Sequence, residues 1–125
     1  MLFRSQRVLF VFGTRPEAIK LAPVIRRLRE WPDRFETRVA VTAQHRALLD
    51  QVLDVFSIQP EHDLNLMQPG QTLTGLTSRT IAALESVMAA ERPDWVLVHG
   101  DTTTALCGAL CAFYAGAREI GRAHV

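Results

Sequence analysis

The sequence predicts an α/β domain of the Rossmann-like, doubly wound kind, built on a parallel sheet. Three observations carry that prediction. Short apolar runs lack polar alternation, as strands covered on both faces do. Longer stretches place apolar residues three and four apart, as amphipathic helices do. The two patterns alternate along the chain. The 125 residues, 48% hydrophobic and 22% charged, suffice for one domain with a real core and are ordinary for a globular chain.

The first apolar run, Val8-Leu9-Phe10-Val11-Phe12, ends at Gly13. Pro16 follows at a first helical position, with Glu17 in the first turn. Ala18, Leu21, Ala22, Ile25 and Leu28 then form one apolar stripe, and Pro23 inside it marks a kink or a restart. Residues 31–34 end that helix. Residues 35–42 read as the second strand and 46–56 as the second helix. Residues 57–70 read as irregular, broken by Pro60, Pro69 and Gly70. A third helical pattern covers 73–91, a third strand 95–99, and an Ala/Leu/Cys-rich helix 103–114.

Fourteen basic and thirteen acidic residues leave a net charge of +1. No strong field points to nucleic acid or to an anionic membrane. Cys107 and Cys111 lie four apart, share a helical face and pack as small apolar groups. Neither a disulfide framework nor zinc-type spacing is present. No apolar run approaches the roughly 20 residues that span a bilayer, and residues 1–7 lack a signal-peptide pattern. The expectation is a soluble cytoplasmic protein with no nucleic-acid and no membrane partner.

In sheets of this class ligands bind beyond the carboxyl ends of the strands. Three segments stand there: Gly13-Thr14-Arg15, Ala43-Gln44-His45 and Gly100-Asp101-Thr102. Gly13 allows a tight strand-to-helix turn, the helix start favours anions, and Arg15 and Lys20 add two cations. The spacing matches neither G-x-x-x-x-G-K-[ST] nor G-x-G-x-x-G. An ordinary turn with solvated cations fits the same residues. Asp101 or Thr102 fits a helix N-cap, and Asp101 also fits a carboxylate available as acid or base. Three consecutive threonines, Thr102 to Thr104, offer hydroxyls to a polar ligand. Gln44-His45-Arg46 reads either as a polar contact or as a cap with surface charge. His62 reads as exposed, and Trp31 and Trp95 as packing residues.

Three of these segments, Phe12 to Lys20, Val41-Thr42-Ala43-Gln44-His45-Arg46 and Val98-His99-Gly100-Asp101-Thr102, resemble the non-hydrolysing UDP-N-acetylglucosamine 2-epimerases. Asp50-Gln51-Val52-Leu53 and Met67-Gln68-Pro69-Gly70-Gln71 extend the resemblance, which runs in order from about Val8 to Tyr114. It implies the N-terminal half-domain of a glycosyltransferase-B-like two-domain fold, with a site in the cleft. It implies interconversion of UDP-N-acetylglucosamine and UDP-N-acetylmannosamine through UDP elimination and a 2-acetamidoglucal, with no nicotinamide and no metal cofactor. By position Asp101, Lys20 and Arg15 match residues important for activity, and Gly13, Thr14, Arg15 and Thr102 match the substrate-binding segments. Gln44, His45 and Gln71 match a site for a second UDP-N-acetylglucosamine acting as allosteric activator. Ala47 and Gly70 replace polar or basic residues there. The family also implies a homodimer.

The family chain is about three times this length, well beyond one ordinary domain. The resemblance therefore implies that residues 1–118 are an incomplete N-terminal domain, inactive alone, and that the C-terminal domain is absent. Residues 119–125, Glu-Ile-Gly-Arg-Ala-His-Val, match the translation of GAG ATC GGA AGA GCA CAC GTC, which apart from its first base begins a common sequencing-library adapter. The expectation is a non-native tail; a diverged strand is the other reading. Three alternative functions stand beside the epimerase: a hydrolysing relative that releases N-acetylmannosamine and UDP, a non-catalytic UDP-sugar-binding module, and a glycosyltransferase of the same fold.

Overall fold

The computed structural model describes residues 4–43 and 46–122. Its elements are β1 (Gln6–Phe12), α1 (Arg15–Arg29), β2 (Phe35–Val41), α2 (Arg46–Val55), β3 (His62–Asp63), α3 (Leu73–Glu91), β4 (Trp95–His99), α4 (Thr103–Ala115) and β5 (Arg118–Arg122). The five strands lie in the order β3-β2-β1-β4-β5 and every pairing is parallel. Strand order reverses between β1 and β4, and a crevice opens at that switch point in sheets of this class.

β1 is the centre of the core, and Leu9, Phe10, Val11 and Phe12 are fully buried. Successive side chains point to opposite faces. Val8, Phe10 and Phe12 pack with Val39 and Val41 under α1 and α2, against Ala18, Leu21, Ile25, Leu49 and Leu53. Leu9 and Val11 pack with Val96 and Val98 under α3 and α4, against Leu84, Val87, Cys107 and Cys111. Each large side chain so buried contributes about 1.5–3 kcal/mol. An unbroken apolar run is what a strand needs to feed both layers.

α1 runs through Pro23, whose ring lies on the exposed face. Arg26, Arg27 and Arg29 complement the negative end of the helix dipole in its last turn. Trp31 then lies half-exposed beneath the guanidinium groups of Arg27 and Arg34, 6.0 and 5.7 Å from its ring centre. α4 approaches the sheet closely because Gly108 has no side chain: a Cβ there would lie 2.8 Å from Val98 Cγ1. The Cys107 and Cys111 thiols are buried and donate to the carbonyls of Thr77 and Ile81 on α3, at 3.9 and 3.7 Å. Burial pushes both thiols up, which keeps them protonated and inert.

One strand departs from the sequence reading, and a second falls where the sequence left a diverged strand as the other reading of the tail. β3 lies within the segment read as irregular. It is held through Glu61, whose carboxylate accepts from the Val39 N–H at 2.7 Å, and Leu64 N–H donates to the Val41 carbonyl. Residues 118–122 pair with all five residues of β4, and Arg118 N–H donates to the Asp94 carbonyl. His62 is also not simply exposed. Its Nε2 lies 2.6 Å from the Glu91 carboxylate, which also accepts from Arg38 Nε at 3.0 Å.

Burial pushes the Glu91 carboxyl up, but the bonds from His62 and Arg38 outweigh it and hold the group below its ordinary 4.5. A depressed carboxyl stabilises the fold above its unfolded pKa, and that contribution is lost as pH falls through the folded value. The midpoint of unfolding is therefore expected to drop as the pH is lowered through and below about 4.5, and Glu91→Gln to flatten part of that slope. Denaturant melts at a series of pH values check this, and an unchanged slope in E91Q refutes it.

Candidate active site

The β1–α1 and β4–α4 connections stand on either side of the switch point. The first begins at Gly13, which is buried. A Cβ at Gly13 would lie 2.0 Å from Thr42 Oγ1 and 3.0 Å from Thr104 Oγ1. Those two hydroxyls are 2.9 Å apart, and both threonines are fully buried. Three connections at the carboxyl edge are thus locked at one point, and the lock needs a residue without a side chain.

Thr14 is the N-cap of α1, in extended conformation, and Arg15 is the first helical residue. Arg15 and Lys20 are exposed. Five residues of helix separate them by about 140° around the axis at 3.6 residues per turn. A ligand shared by both would need the Arg15 side chain, at the helix end, to cross the axis. Asp101 is exposed on the neighbouring connection, after Gly100 at φ +87°. Thr102 caps α4, its Oγ1 accepting from Ala105 N–H at 3.1 Å. The Thr14 hydroxyl donates to Glu17 Oε1 at 2.8 Å. Both hydroxyls predicted to meet a ligand are therefore also engaged by the protein.

Glu17 is the residue that the sequence reading passed over. It was read only as an acidic first-turn residue, yet it is 2% exposed. Burial pushes its carboxyl above the ordinary value against opposing hydrogen bonds from the side chains of Thr14 and Thr102 and the backbone of Gly13 and Thr14. Thr-x-x-Glu at a helix start was the available signal. Gln71 lies just before Thr72, the N-cap of α3, and its side-chain amide donates to Met67 Sδ at 3.1 Å. Gln44 and His45 lie outside the described residues. A groove of about 660 Å³ lies between α3 and α4 at the amino edge, lined by residues such as Met88, Arg92, Cys111 and Tyr114. It is remote from these connections. Among the described residues no group of His, Cys, Asp and Glu is placed to hold a metal ion. No helix among them is long and apolar enough to cross a membrane.

The fold and this edge define a Rossmann-like α/β domain with two cations and a carboxylate beside its switch point. Residues 26–125 match the model of one family, UDP-N-acetylglucosamine 2-epimerase. The UDP-N-acetylglucosamine 2-epimerase of Escherichia coli K12 is 59% identical over 108 residues, 86% of this chain and 28% of its own. That of Bacillus subtilis is 50% identical over 122 residues, 98% of this chain and 31% of its own. Among solved structures, the Neisseria meningitidis epimerase bound to UDP-GlcNAc superposes with a TM-score of 0.88 at 48% identity, over 93% of this chain and 31% of that one. The chain belongs to the UDP-N-acetylglucosamine 2-epimerase family, and it spans about 30% of the length of the curated relatives it matches.

Two outcomes follow from this geometry. Gly13→Ala is expected to cost about 1–3 kcal/mol through overpacking, and less in a Thr42→Ala background, where the obstructing hydroxyl is gone. A double-mutant cycle in urea measures the coupling; strict additivity rejects the lock. Glu17 has the opposite sign from Glu91. Its raised carboxyl favours the fold below 4.5, and that contribution fades as pH rises through the folded value. Glu17→Gln should remove this fading, read from the same pH series of melts.

Proposed function

We propose that this chain is one wall of an enzyme that interconverts UDP-N-acetylglucosamine and UDP-N-acetylmannosamine. The observation that carries the reading is the placement of Asp101 on one connection beside the switch point, and of Arg15 and Lys20 in the first two turns of the helix that follows the other, in a chain 59% identical to an enzyme named for this activity. In the proposed reaction a base removes the C2 proton. The C–H electron pair forms the C1–C2 double bond, and the C1–O bond breaks with its electrons on UDP. UDP adds back at C1, and a proton returns to the opposite face of C2. Asp101 supplies a carboxylate for proton transfer at the sugar. Arg15 and Lys20 offset the negative charge of the diphosphate, which grows as UDP leaves. Gly13, Thr14 and Thr102 shape the segment that meets the substrate.

Four further elements belong to the same reading. Gln71, with Gln44 and His45, contributes to binding a second UDP-N-acetylglucosamine as an activator. The working enzyme is a homodimer. Residues 1–118 form an incomplete N-terminal domain of a two-domain protein. Residues 119–125 derive from adapter sequence, which reading the parent DNA beyond the Arg118 codon tests directly.

The activity is tested by a chimera in which residues 4–118 replace the matching segment of the Escherichia coli relative. Incubated with UDP-N-acetylglucosamine in heavy water, it is expected to form UDP-N-acetylmannosamine carrying deuterium at C2. Asp101→Asn is expected to slow turnover by about 10²-fold or more. A folded chimera that is inactive, that epimerises without deuterium uptake, or that releases free N-acetylmannosamine with stoichiometric UDP overturns the proposal.

A further inference from the structure

Glu17 has no part in the reaction above, yet it is the one buried carboxyl among the described residues. We propose that Glu17 is a positioning residue, whose carboxyl fastens the connection carrying Arg15 to the connection carrying Asp101; this rests on the reading of the site just given.

Four observations carry it. First, Thr14-x-x-Glu17 has the sequence of a capping box, in which the threonine oxygen accepts from the backbone N–H three residues on. Here that bond is not made. The Thr14 hydroxyl instead donates to Glu17 Oε1, so the side chains are turned toward each other. Second, a capping glutamate lies on the surface by default, whereas this one is 98% enclosed. Third, the side chain of Thr102, on the β4–α4 connection, and the backbone N–H groups of Gly13 and Thr14 oppose the effect of burial on this carboxyl, which sets them beside it; the hydrogen bond of full geometry is the one from Thr14. One carboxyl therefore meets both connections. Fourth, Oε2 is enclosed and has no partner of full hydrogen-bond geometry among the described residues.

Enclosing such an atom is unfavourable unless something is gained by it. The Thr42–Thr104 pair beneath Gly13 shows what is gained. It ties the end of β2 to the first turn of α4, and the Glu17 carboxyl, bonded to Thr14 and set beside Thr102, fastens the start of α1 to that same turn in the proposal. Arg15 and Asp101 are exposed and no bond joins them directly among the described residues. Their relative placement is set from below, by the backbone they stand on. A misplacement of about 1 Å at a reacting group can cost 10²-fold in rate.

Two measurements decide it. In the 125-residue chain, the amide resonances of Gly100, Asp101 and Thr102 are followed by NMR through a pH titration. The expected result is a step, at higher pH than an ordinary carboxyl, that disappears in Glu17→Gln. Resonances that show no such step, or keep it in E17Q, overturn the proposal without reference to catalysis. In the chimera, Glu17→Ala is expected to lower kcat by about 10²-fold with KM for UDP-N-acetylglucosamine changed less than threefold. Glu17→Gln, which can still accept from Thr14, is expected to recover kcat to within threefold of the starting chimera. A kcat in E17A within threefold of the starting value overturns the proposal. So does an E17Q as slow as E17A, because that assigns the proton itself to the reaction. Should E17A fail to fold, the E17Q kinetics and the titration decide. A folded starting chimera without activity counts against the reaction assigned to the site and leaves the NMR titration to decide the tie.

Discussion

The carboxyl edge depends on one missing side chain. Gly13 ends the most buried strand of the sheet, and the room it leaves is taken by two hydroxyls, one from the end of β2 and one from the first turn of α4. An alanine would need to displace Thr42 Oγ1, which is backed by fully buried core. The parallel sheet supplies the other half of this constraint. β1 is paired on both sides, so its end cannot shift without disturbing both neighbours. Three connections that are remote in sequence therefore meet in fixed register. Chemistry at this edge is inherited from packing beneath it.

Two glutamates show how the same side chain is used in opposite ways. Glu91 meets His62 and Arg38 at a half-buried position, and those bonds outweigh the loss of water. It behaves as a structural anion that pins α3 against β2 and β3. Glu17 receives hydrogen bonds from hydroxyls and backbone but has no cation in contact among the described residues, and burial wins. A carboxyl under those conditions favours its neutral form. The difference lies in the partner rather than in the depth alone. It explains why the residue nearest the site is the one whose charge the fold resists.

The core of the fold is legible in the sequence because it is written in side chains. The run Val8–Phe12 is apolar at every position, short, β-branched and aromatic, and closed by Gly13, as a strand covered on both faces is. The stripe from Ala18 to Leu28 buries as one face, and Pro23 falls opposite it, which is why the helix tolerates a proline. The two edge strands are weakly written for a matching reason. β3 is two residues long and is held by a carboxylate bonding to backbone, which leaves no periodicity. β5 is Arg-Glu-Ile-Gly-Arg, with neither alternation nor strand composition. It forms because β4 offers a free row of backbone donors and acceptors, which any extended segment of suitable reach can satisfy. At the site the connections were legible from Gly13, Arg15, Lys20 and Asp101. Glu17 was not, because an acidic first-turn residue is ordinary on a helix surface, and its burial arises from the packed fold rather than from its local sequence.

The exposure of Arg15, Lys20 and Asp101 sets a condition on what they do. Charges in contact with water interact weakly, about 1 kcal/mol at 4 Å, and several times more strongly once water is excluded. Stabilising a departing diphosphate, or moving a proton from carbon, requires the stronger regime. Among the described residues nothing excludes water from this edge, since its charged groups project outward while the hydroxyls and the carboxyl beneath them are enclosed. The division is consistent: the buried layer fixes where the charges stand, and in the proposed reaction a ligand and a covering surface would give those charges their strength. Preorganisation of this kind keeps its cost inside the folded core, so the charged side chains need not hold one another. That is also why the tie through Glu17 belongs below the site rather than in it.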